Sequence, residues 1–370
     1  MPESNRRTAA QFFASVILCA LALVSLYGCS SPATQGSAYL VAMLQSSSAQ
    51  ARELTAADVA DLVNRTVSQA GGLDFVKDGQ TVVLKPNLPT VYQDDGETLA
   101  SPVVSGINTD WRVTKAVADL VRIENPTGKI LVMEGSTFAT TIAYAALGYT
   151  TENFGASVDE FIALEGASCA DTSTATLEQR AGRSGKQYWL DRRYLAADVV
   201  IAIPTLATDA WAGIGGAVES MGIGATPAGQ YSSGQNPNDC TRTKIDRTSP
   251  ESTGEFIRDY YELKPADFVV VDGLQGLQHG PLPVLEQSSD DYASSLENMR
   301  LIVAGQNAVA VDTTLALIMK CDPKKVPHLT KLEADGRGTT DAAQLRVVGS
   351  SIGTVAKPFA SRQTEICPGK

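Results

Sequence analysis

Residues 198–203 read Asp-Val-Val-Ile-Ala-Ile, a short run of mostly β-branched apolar residues that ends at Pro204. An uninterrupted run of this kind is typical of a strand that is covered on both faces, as in a parallel sheet. We therefore expect a buried strand here. The same pattern recurs in four other short segments, at 81–84, 129–133, 268–271 and 301–303.

Segments with helical spacing of apolar residues lie between the predicted strands. One begins at Thr55, where Asp58 completes a pattern that resembles a capping box. The alternation predicts a mostly parallel, doubly wound α/β sheet with helices on both faces. Two long segments rich in Gly, Ser, Thr, Asn and Pro, 166–186 and 222–254, are expected to be loop insertions, either binding loops or surface insertions. Helices are expected at 55–70, 111–123, 140–147, 256–263 and 309–319.

Composition limits the class of protein. The chain has 370 residues, of which 44% are hydrophobic, and this apolar fraction excludes a disordered or collagen-like chain. Asp and Glu outnumber Lys and Arg 41 to 30, which gives a formal net charge of -11. Nucleic acid is not expected as a partner, because its binding depends on basic side chains that neutralise phosphates.

The start of the chain has the features of an export signal. Arg6 and Arg7 precede an apolar run, residues 12–26, that is too short to span a bilayer readily. The tetrapeptide Leu-Tyr-Gly-Cys at 26–29 resembles the lipobox of bacterial prolipoproteins, whose cysteine is lipidated; a plain secretory signal is the alternative. Lipidation would anchor the exported chain at the outer membrane or at the outer face of the cytoplasmic membrane. We expect a signal peptide at 1–28, lipidation at Cys29, a flexible tether at 29–51 and one α/β domain at 52–370.

Four cysteines remain after the expected signal peptide and lipidation site are set aside. In an oxidising compartment they allow up to two disulfides, with three possible connectivities. We favour Cys169 with Cys240, because both lie in long polar segments, and Cys321 with Cys367, which would attach the tail to a helix end. Free thiols are the alternative.

Polar residues follow each predicted strand where it ends. The carboxyl ends of parallel strands share one edge of a sheet, and ligands bind there, so we expect a common site. In it, Lys85 is a candidate electrostatic anchor or acid, Asp272 a base or metal ligand, and His279 an aid to proton transfer. Each candidate also has a structural explanation as a cap, turn or hydrogen-bonding residue. The candidate ligand-binding residues are Asn87, Glu134, Ser136, Thr205, Asp209, Asn307 and Asp312.

Several short motifs occur in a fixed order along residues 80–350, among them Lys85-Pro86-Asn87, Glu134-Gly135-Ser136, the run at 197–204, Val271-Asp272-Gly273 and Ala310-Val311-Asp312. In this respect the chain resembles the family called domain of unknown function 362. The family's chemistry is unsettled, so the resemblance implies an architecture more than an activity. Some members carry ferredoxin-type clusters, but the Cys-x-x-Cys-x-x-Cys pattern is absent here, and no iron–sulfur cluster is expected.

Two motifs depart from the pattern of that family. After Pro204 the family favours Lys, Lys and His, whereas this chain has Thr205, Ala207 and Asp209. A later Lys-Asn pair is replaced by Glu219-Ser220. The loss of these cations makes the predicted site more acidic, which implies a different ligand, a divalent cation or a lost activity.

Familiar catalytic signatures are mostly excluded. A Gly-x-Ser-x-Gly motif occurs at 349–353, but no His follows Ser351, which disfavours a serine hydrolase. A zinc site with several His ligands is excluded because the chain has only His279 and His328. A divalent cation, held by oxygen ligands, is left open. Its candidate ligands are Asp272, Asp312, Asp209 and Glu134.

Two classes of function fit these features. The favoured one is an exported lipoprotein that binds a small molecule, an ion or a protein partner in a cleft at the strand ends. The alternative is an extracytoplasmic enzyme in which Lys85, Asp272 and His279 carry out acid–base or cation-assisted chemistry.

Overall fold

A computed structural model describes residues 38–91, 100–166, 168–233, 239–280 and 292–369. The expected signal peptide, Cys29 and the start of the expected tether lie outside the described residues. Within them, no helix combines the length and the apolar character that a membrane span requires. The strands are β1 (Tyr39–Gln45), β2 (Thr81–Pro86), β3 (Lys129–Glu134), β4 (Glu160–Ala163), β5 (Leu177–Ala181), β6 (Gln187–Asp191), β7 (Val199–Ile203), β8 (Thr205–Asp209), β9 (Gly213–Gly215), β10 (Phe268–Leu277), β11 (Leu296–Gly305) and β12 (Leu345–Gly349).

Helices connect most of these strands. They are α1 (Ala56–Gln69), α2 (Trp111–Glu124), α3 (Thr140–Ala146), α4 (Thr151–Phe154), α5 (Arg192–Ala196), α6 (Ala217–Gly224), α7 (Ala228–Tyr231), α8 (Pro250–Leu263), α9 (Tyr292–Ser295), α10 (Ala308–Ile318), α11 (Pro327–Ala334) and α12 (Ile352–Val355).

Among the described residues, ten strands form one sheet. Its order is β12-β1-β11-β10-β7-β2-β3-β4, and β8 pairs with both β10 and β9. Most neighbours are parallel, but β11 runs antiparallel to β1 and to β10, and β9 runs antiparallel to β8. A separate antiparallel pair consists of β5 and β6. The predicted mostly parallel α/β fold is confirmed.

Burial on both faces of the sheet explains the uninterrupted apolar runs. All five residues of β7 are buried, as its sequence predicts. Apolar side chains of α6, α8, α10 and α11 pack on one face, and those of α1 and α2 pack on the other. Each strand in the middle of the sheet therefore exposes neither face to water.

The start of α1 is formed as predicted. Thr55 Oγ1 accepts a hydrogen bond from the Asp58 backbone N–H at 3.2 Å, and an Asp58 carboxylate oxygen accepts one from the Thr55 N–H at 2.9 Å. This capping box satisfies two amides that the helix itself leaves unpaired.

The expected tether at 29–51 is wrong for residues 39–45. These residues form β1, which lies between β11 and β12, and Val41, Ala42 and Met43 are fully buried. The physical reason is the apolar sequence Tyr-Leu-Val-Ala-Met-Leu-Gln, which can be covered on both faces. The α/β domain therefore begins before residue 52.

The two expected loop insertions contain short elements that the sequence pattern did not predict. β5 lies within 166–186, and α7 and the first residues of α8 lie within 222–254. The favoured disulfides are both formed, Cys169–Cys240 between the two segments and Cys321–Cys367 near the tail. This confirms one of the three possible connectivities.

Candidate functional site

A cavity of about 280 Å³ opens at the edge of the sheet where the parallel strands end. The ends of β2 and β3, the β8–β9 turn, α6 and residues 241–253 form its walls; we call it the cleft. An adjoining cavity of about 20 Å³, which we call its extension, is lined in part by β8 and α6 and shares Asn87, Asp209 and Glu219 with the cleft. The cleft is lined by charged groups of both signs and by Trp211; the charged residues include Glu134, Asp209, Glu219, Arg242 and Arg247.

A buried ion pair lies at the floor of the cleft. Lys85 Nζ, at the end of β2, donates hydrogen bonds to Glu134 Oε2 and to the Pro86 carbonyl, each at 2.8 Å. Glu134 also accepts hydrogen bonds from the backbone amides of Leu88 and Gly135. Burial lowers the pKa of Lys85, and the adjacent Glu134 carboxylate opposes that shift. Lys85 is therefore held by the protein and does not itself line the cleft.

Gly224 allows this ion pair to form against α6. A Cβ atom at residue 224 would lie 2.9 Å from Lys85 Nζ and 3.2 Å from Glu134 Oε1. The distance of 2.9 Å is shorter than a normal non-bonded contact between carbon and nitrogen. A larger residue at position 224 would therefore displace the ammonium group of Lys85.

Arg242 is a second buried cation, at the wall of the cleft. Its guanidinium donates to the carbonyls of Ser136, Cys240 and Thr226 and to Thr226 Oγ1. Burial lowers its pKa to about 10. A guanidinium has five N–H donors. Four hydrogen bonds to the protein leave Arg242 with little capacity for a ligand and make it a link between β3 and the 241–253 wall.

Two carboxyl groups, Asp209 and Glu219, form the acidic wall of the cleft. Asp209 is almost fully buried, and its Oδ1 accepts hydrogen bonds from the amides of Trp211 and Ala212 at 2.8 and 2.6 Å. Glu219 is partly exposed to the cleft and accepts no hydrogen bond from the described part of the chain. Burial raises the pKa of both groups, and the charge of Asp209 helps to raise that of Glu219 to about 8. The wall therefore holds a proton near neutral pH.

Trp211 and Arg247 lie beside this acidic wall. The Arg247 guanidinium carbon lies 4.7 Å from the centre of the Trp211 ring. This is a cation–π contact between two partly buried side chains. The positive charge of Arg247 opposes the rise in the pKa of both Asp209 and Glu219.

Asn87 and Thr205 are brought together as predicted. The Asn87 side-chain amide lies 3.5 Å from Thr205 Oγ1, and its oxygen accepts a hydrogen bond from Ser220 Oγ at 3.2 Å. Both line the extension of the cleft. Ser136, by contrast, is fully buried and donates to the Pro89 carbonyl.

Asp272 and His279 line neither the cleft nor its extension. Asp272 accepts hydrogen bonds from the amides of Asp110 and Leu274, so it joins the start of α2 to β10. Burial and the charge of Asp110 raise its pKa to about 7. His279 has a φ of 57°, and its backbone amide donates to Ala360. The proposed trio of Lys85, Asp272 and His279 is therefore not gathered around one cavity.

Asn307 lies at the opposite edge of the sheet, because β11 is antiparallel to β10 and Gly305 pairs with Val269 at the start of β10. Its side chain caps α10 by accepting from the Ala310 amide. The expectation that all five strand ends share one edge is wrong at this position.

Asp312 lies on α10 and reaches the start of α6. Its two carboxylate oxygens accept hydrogen bonds from the Ala217 and Val218 amides at 2.8 and 2.9 Å. Burial raises its pKa to about 7. A Cβ atom on Gly216 would lie 2.5 Å from Asp312 Oδ1, so a glycine is needed there. Asp312, on α10, therefore caps the N-terminus of the neighbouring helix α6.

The four carboxylates considered for a divalent cation are each engaged separately. Asp272, Asp312 and Asp209 accept backbone amides, and Glu134 is paired with Lys85. Across the residues that the structure describes, no group of three or more His, Cys, Asp or Glu side chains is arranged to hold a metal ion.

Trp211, Arg242 and Arg247 were not predicted as site residues. Trp211 follows Asp209 by two positions, and this proximity was the one usable signal. The arginines lie in a polar segment whose sequence gives no sign of burial. The Cys169–Cys240 disulfide and the contact with Trp211 place them at the cleft.

The fold and the cleft define an α/β protein with a mixed-charge cavity at the carboxyl ends of its parallel strands. The chain belongs to the family described as domain of unknown function (DUF362), which matches residues 82–316. This confirms the resemblance seen in the sequence motifs. No curated protein shows significant sequence similarity to the chain.

One solved structure with a similar fold is the lactate racemase apoprotein from Thermoanaerobacterium thermosaccharolyticum. The two sequences are 12% identical, and the TM-score is 0.40. The match covers 72% of this chain and 54% of that one, so the chain spans about half the length of this structural neighbour. Such a distant likeness carries no information about the activity of the present chain.

Proposed function

We propose that this protein is an exported lipoprotein of the cell envelope that binds a small organic ligand in the cleft. The observation that carries the proposal is the convergence of Asp209, Glu219, Trp211 and Arg247 on one cavity of about 280 Å³. A concave site with an aromatic wall and a few convergent polar groups is typical of small-molecule binding. The volume suits a metabolite better than a folded partner.

Export and anchoring are supported by two independent features. The first is the lipobox-like tetrapeptide that ends at Cys29. The second is the pair of disulfides, which persist in oxidising compartments and are rare in the cytosol. Labelling with a radioactive fatty acid tests the anchor: the wild-type chain should incorporate label and Cys29→Ser should not, and equal labelling of both would contradict lipidation at that residue.

An organic ligand is favoured over a divalent cation because the candidate oxygen ligands are already used by the protein. Asp312 and Asp209 accept amide hydrogen bonds, and Glu134 pairs with a buried ammonium. A metal would have to displace these contacts.

A second candidate function is acid–base catalysis on the bound ligand, and Glu219 is the residue that supports it. Its carboxyl group faces the cleft, and its pKa of about 8 lets it both give and take a proton near neutral pH. In this form of the proposal Glu219 takes the role that the sequence suggested for Asp272 and His279. Glu219→Gln should then abolish conversion of the ligand, whereas a binding protein leaves the ligand unchanged in both forms.

Native mass spectrometry of the full chain, purified in a neutral detergent, tests the proposal. A co-purifying organic molecule should add mass to the wild-type protein and leave on denaturation. Trp211→Ala should carry less of it, and the matched control Trp189→Ala, outside the cleft, should retain it. Equal retention in the two variants would place the ligand elsewhere, and elemental analysis of the same sample would reveal a bound metal instead.

A further inference from the structure

Arg247 lies over Trp211 in the cleft and has no polar partner among the described residues. Its guanidinium lies over the Trp211 ring, and it makes no hydrogen bond or ion pair within the described part of the chain. Lys85 and Arg242 differ in this respect, because both donate to protein oxygens. Arg247 is therefore the cation that a ligand can displace at the smallest cost.

The acidic wall lies close enough to act as the counter-ion of a group on Trp211. Arg247, Asp209 and Glu219 line the same cavity, and the positive charge of Arg247 opposes the rise in the pKa of both carboxyl groups. The Asp209 carboxylate is held by two backbone amides, while Glu219 has no protein donor among the described residues. Glu219 is thus free to accept a hydrogen bond from a ligand.

We propose that the cleft binds a small organic cation, an amine or a guanidine, whose charged group takes the place of the Arg247 guanidinium on Trp211. Asp209 and Glu219 then supply the negative charge. This inference rests on the proposed function and names the ligand class of the same site. The Arg247–Trp211 contact is a cation–π contact of the same kind that the ligand would make with the Trp211 ring.

Binding of such a cation should depend on the ionisation of Glu219. The charged groups that act on it are Asp209 on β8, Asp312 on α10, Lys85 on β2 and Arg247. Below pH 8 the carboxyl group is mostly protonated, and a cation must displace that proton. Affinity should therefore rise with pH up to about 8 and then level off, by at most about tenfold per pH unit.

Butylamine and butyrate are matched probes of opposite charge. Each probe is titrated into the full chain in detergent, and binding is followed by the Trp fluorescence of the protein. Butylamine should bind and butyrate should not. Arg247→Met removes the competing charge but keeps an apolar stem over Trp211, so it should bind butylamine about tenfold more tightly. The matched control Lys244→Met removes an exposed charge from the same segment and should bind as the wild type does.

The sign of the Arg247→Met effect decides the inference. Tighter amine binding supports it, and weaker amine binding or preferential binding of butyrate overturns it. If Arg247→Met folds poorly, Arg247→Gln removes the charge instead and Arg247→Lys keeps it. Tighter butylamine binding by Arg247→Gln than by Arg247→Lys supports the charge argument, and the opposite order overturns it. If neither probe binds while a co-purified ligand occupies the cleft, the cation inference fails and the proposed function stands; if no ligand is found either, both fail.

Discussion

Replacing Lys85 by Met should destabilise the protein strongly without touching the surface of the cleft. The side chain has no exposed area, and its Nζ–Glu134 Oε2 distance is 2.8 Å. Met has nearly the same length and no charge, so the change removes the ammonium group and leaves the shape. What remains is a buried Glu134 carboxylate with hydrogen bonds from the Leu88 and Gly135 amides.

The structure sets the size of the effect. Removing one partner of a buried ion pair costs about 3–5 kcal/mol, because the other charge is left unpaired. The two amide donors that Glu134 retains place Lys85→Met near the lower end, at about 3 kcal/mol. The double variant Lys85→Met/Glu134→Gln removes both charges and should cost less than the sum of the two single changes by about 2 kcal/mol or more.

Urea unfolding of the full chain, followed by circular dichroism, measures these differences. Arg65→Met is the matched control, because the Arg65–Asp61 ion pair is more than half exposed and its loss should change stability by less than about 0.5 kcal/mol. A Lys85→Met protein as stable as the wild type would refute the structural role of the pair. Additive single changes would refute the coupling between its members.

Three further predictions concern the residues that shape the cleft. Asp312 binds its proton more tightly when folded, with a pKa of about 7 against about 3.9 in the unfolded chain, so its contribution to stability is complete below pH 4 and is lost as pH rises towards 7. Asp312→Asn should flatten that decline by up to about 1.4 kcal/mol per pH unit in urea unfolding, and an unchanged slope would contradict the pKa. Gly224→Ala should destabilise the fold by about 1–3 kcal/mol in the same assay, because its Cβ meets Lys85 Nζ at 2.9 Å; a neutral effect would show that the ammonium group moves freely. Cys169→Ser/Cys240→Ser should reduce retention of the co-purified ligand in native mass spectrometry, because the disulfide holds the cleft wall that includes Arg242, and full retention would show that this wall is fixed by other contacts.

The sequence predicted most of the sheet because burial on both faces leaves a strong local signal. All five predicted runs are strands, and β7 is buried at every position. β1 was missed because it adjoins a Ser- and Ala-rich segment that resembles a tether. Its partners are β11 and β12, more than 250 residues away, and no local pattern indicates such a pairing.

Strand direction was the main obstacle to predicting the site. An apolar run has the same appearance in either direction, and only the fold shows that β11 is antiparallel. Asn307 was therefore assigned to the wrong edge of the sheet, where it caps α10. Asn87, Thr205, Glu134 and Asp209 lie at the expected edge because β2, β3, β7 and β8 run in the same direction, and their part in ligand binding stays a prediction.

Long-range contacts also decided which polar residues face the cleft. Asp272 and Asp312 resemble ligand-binding residues in sequence, but backbone amides of distant segments use their oxygens. Arg247 resembles an ordinary charge in a polar segment, yet it lies on Trp211, which is 36 positions earlier in the chain. Such pairings depend on the folded path of the chain and not on the neighbouring residues.

In the proposed function, a small ligand binds between Trp211 and the Asp209–Glu219 wall. A crystal structure of the full chain with its co-purified molecule would show where that molecule binds. We expect density for the molecule against the Trp211 ring, with a polar group directed at Glu219 and with Arg247 displaced from the Trp211 ring. A molecule bound at any other place, with Arg247 still over Trp211, would contradict it.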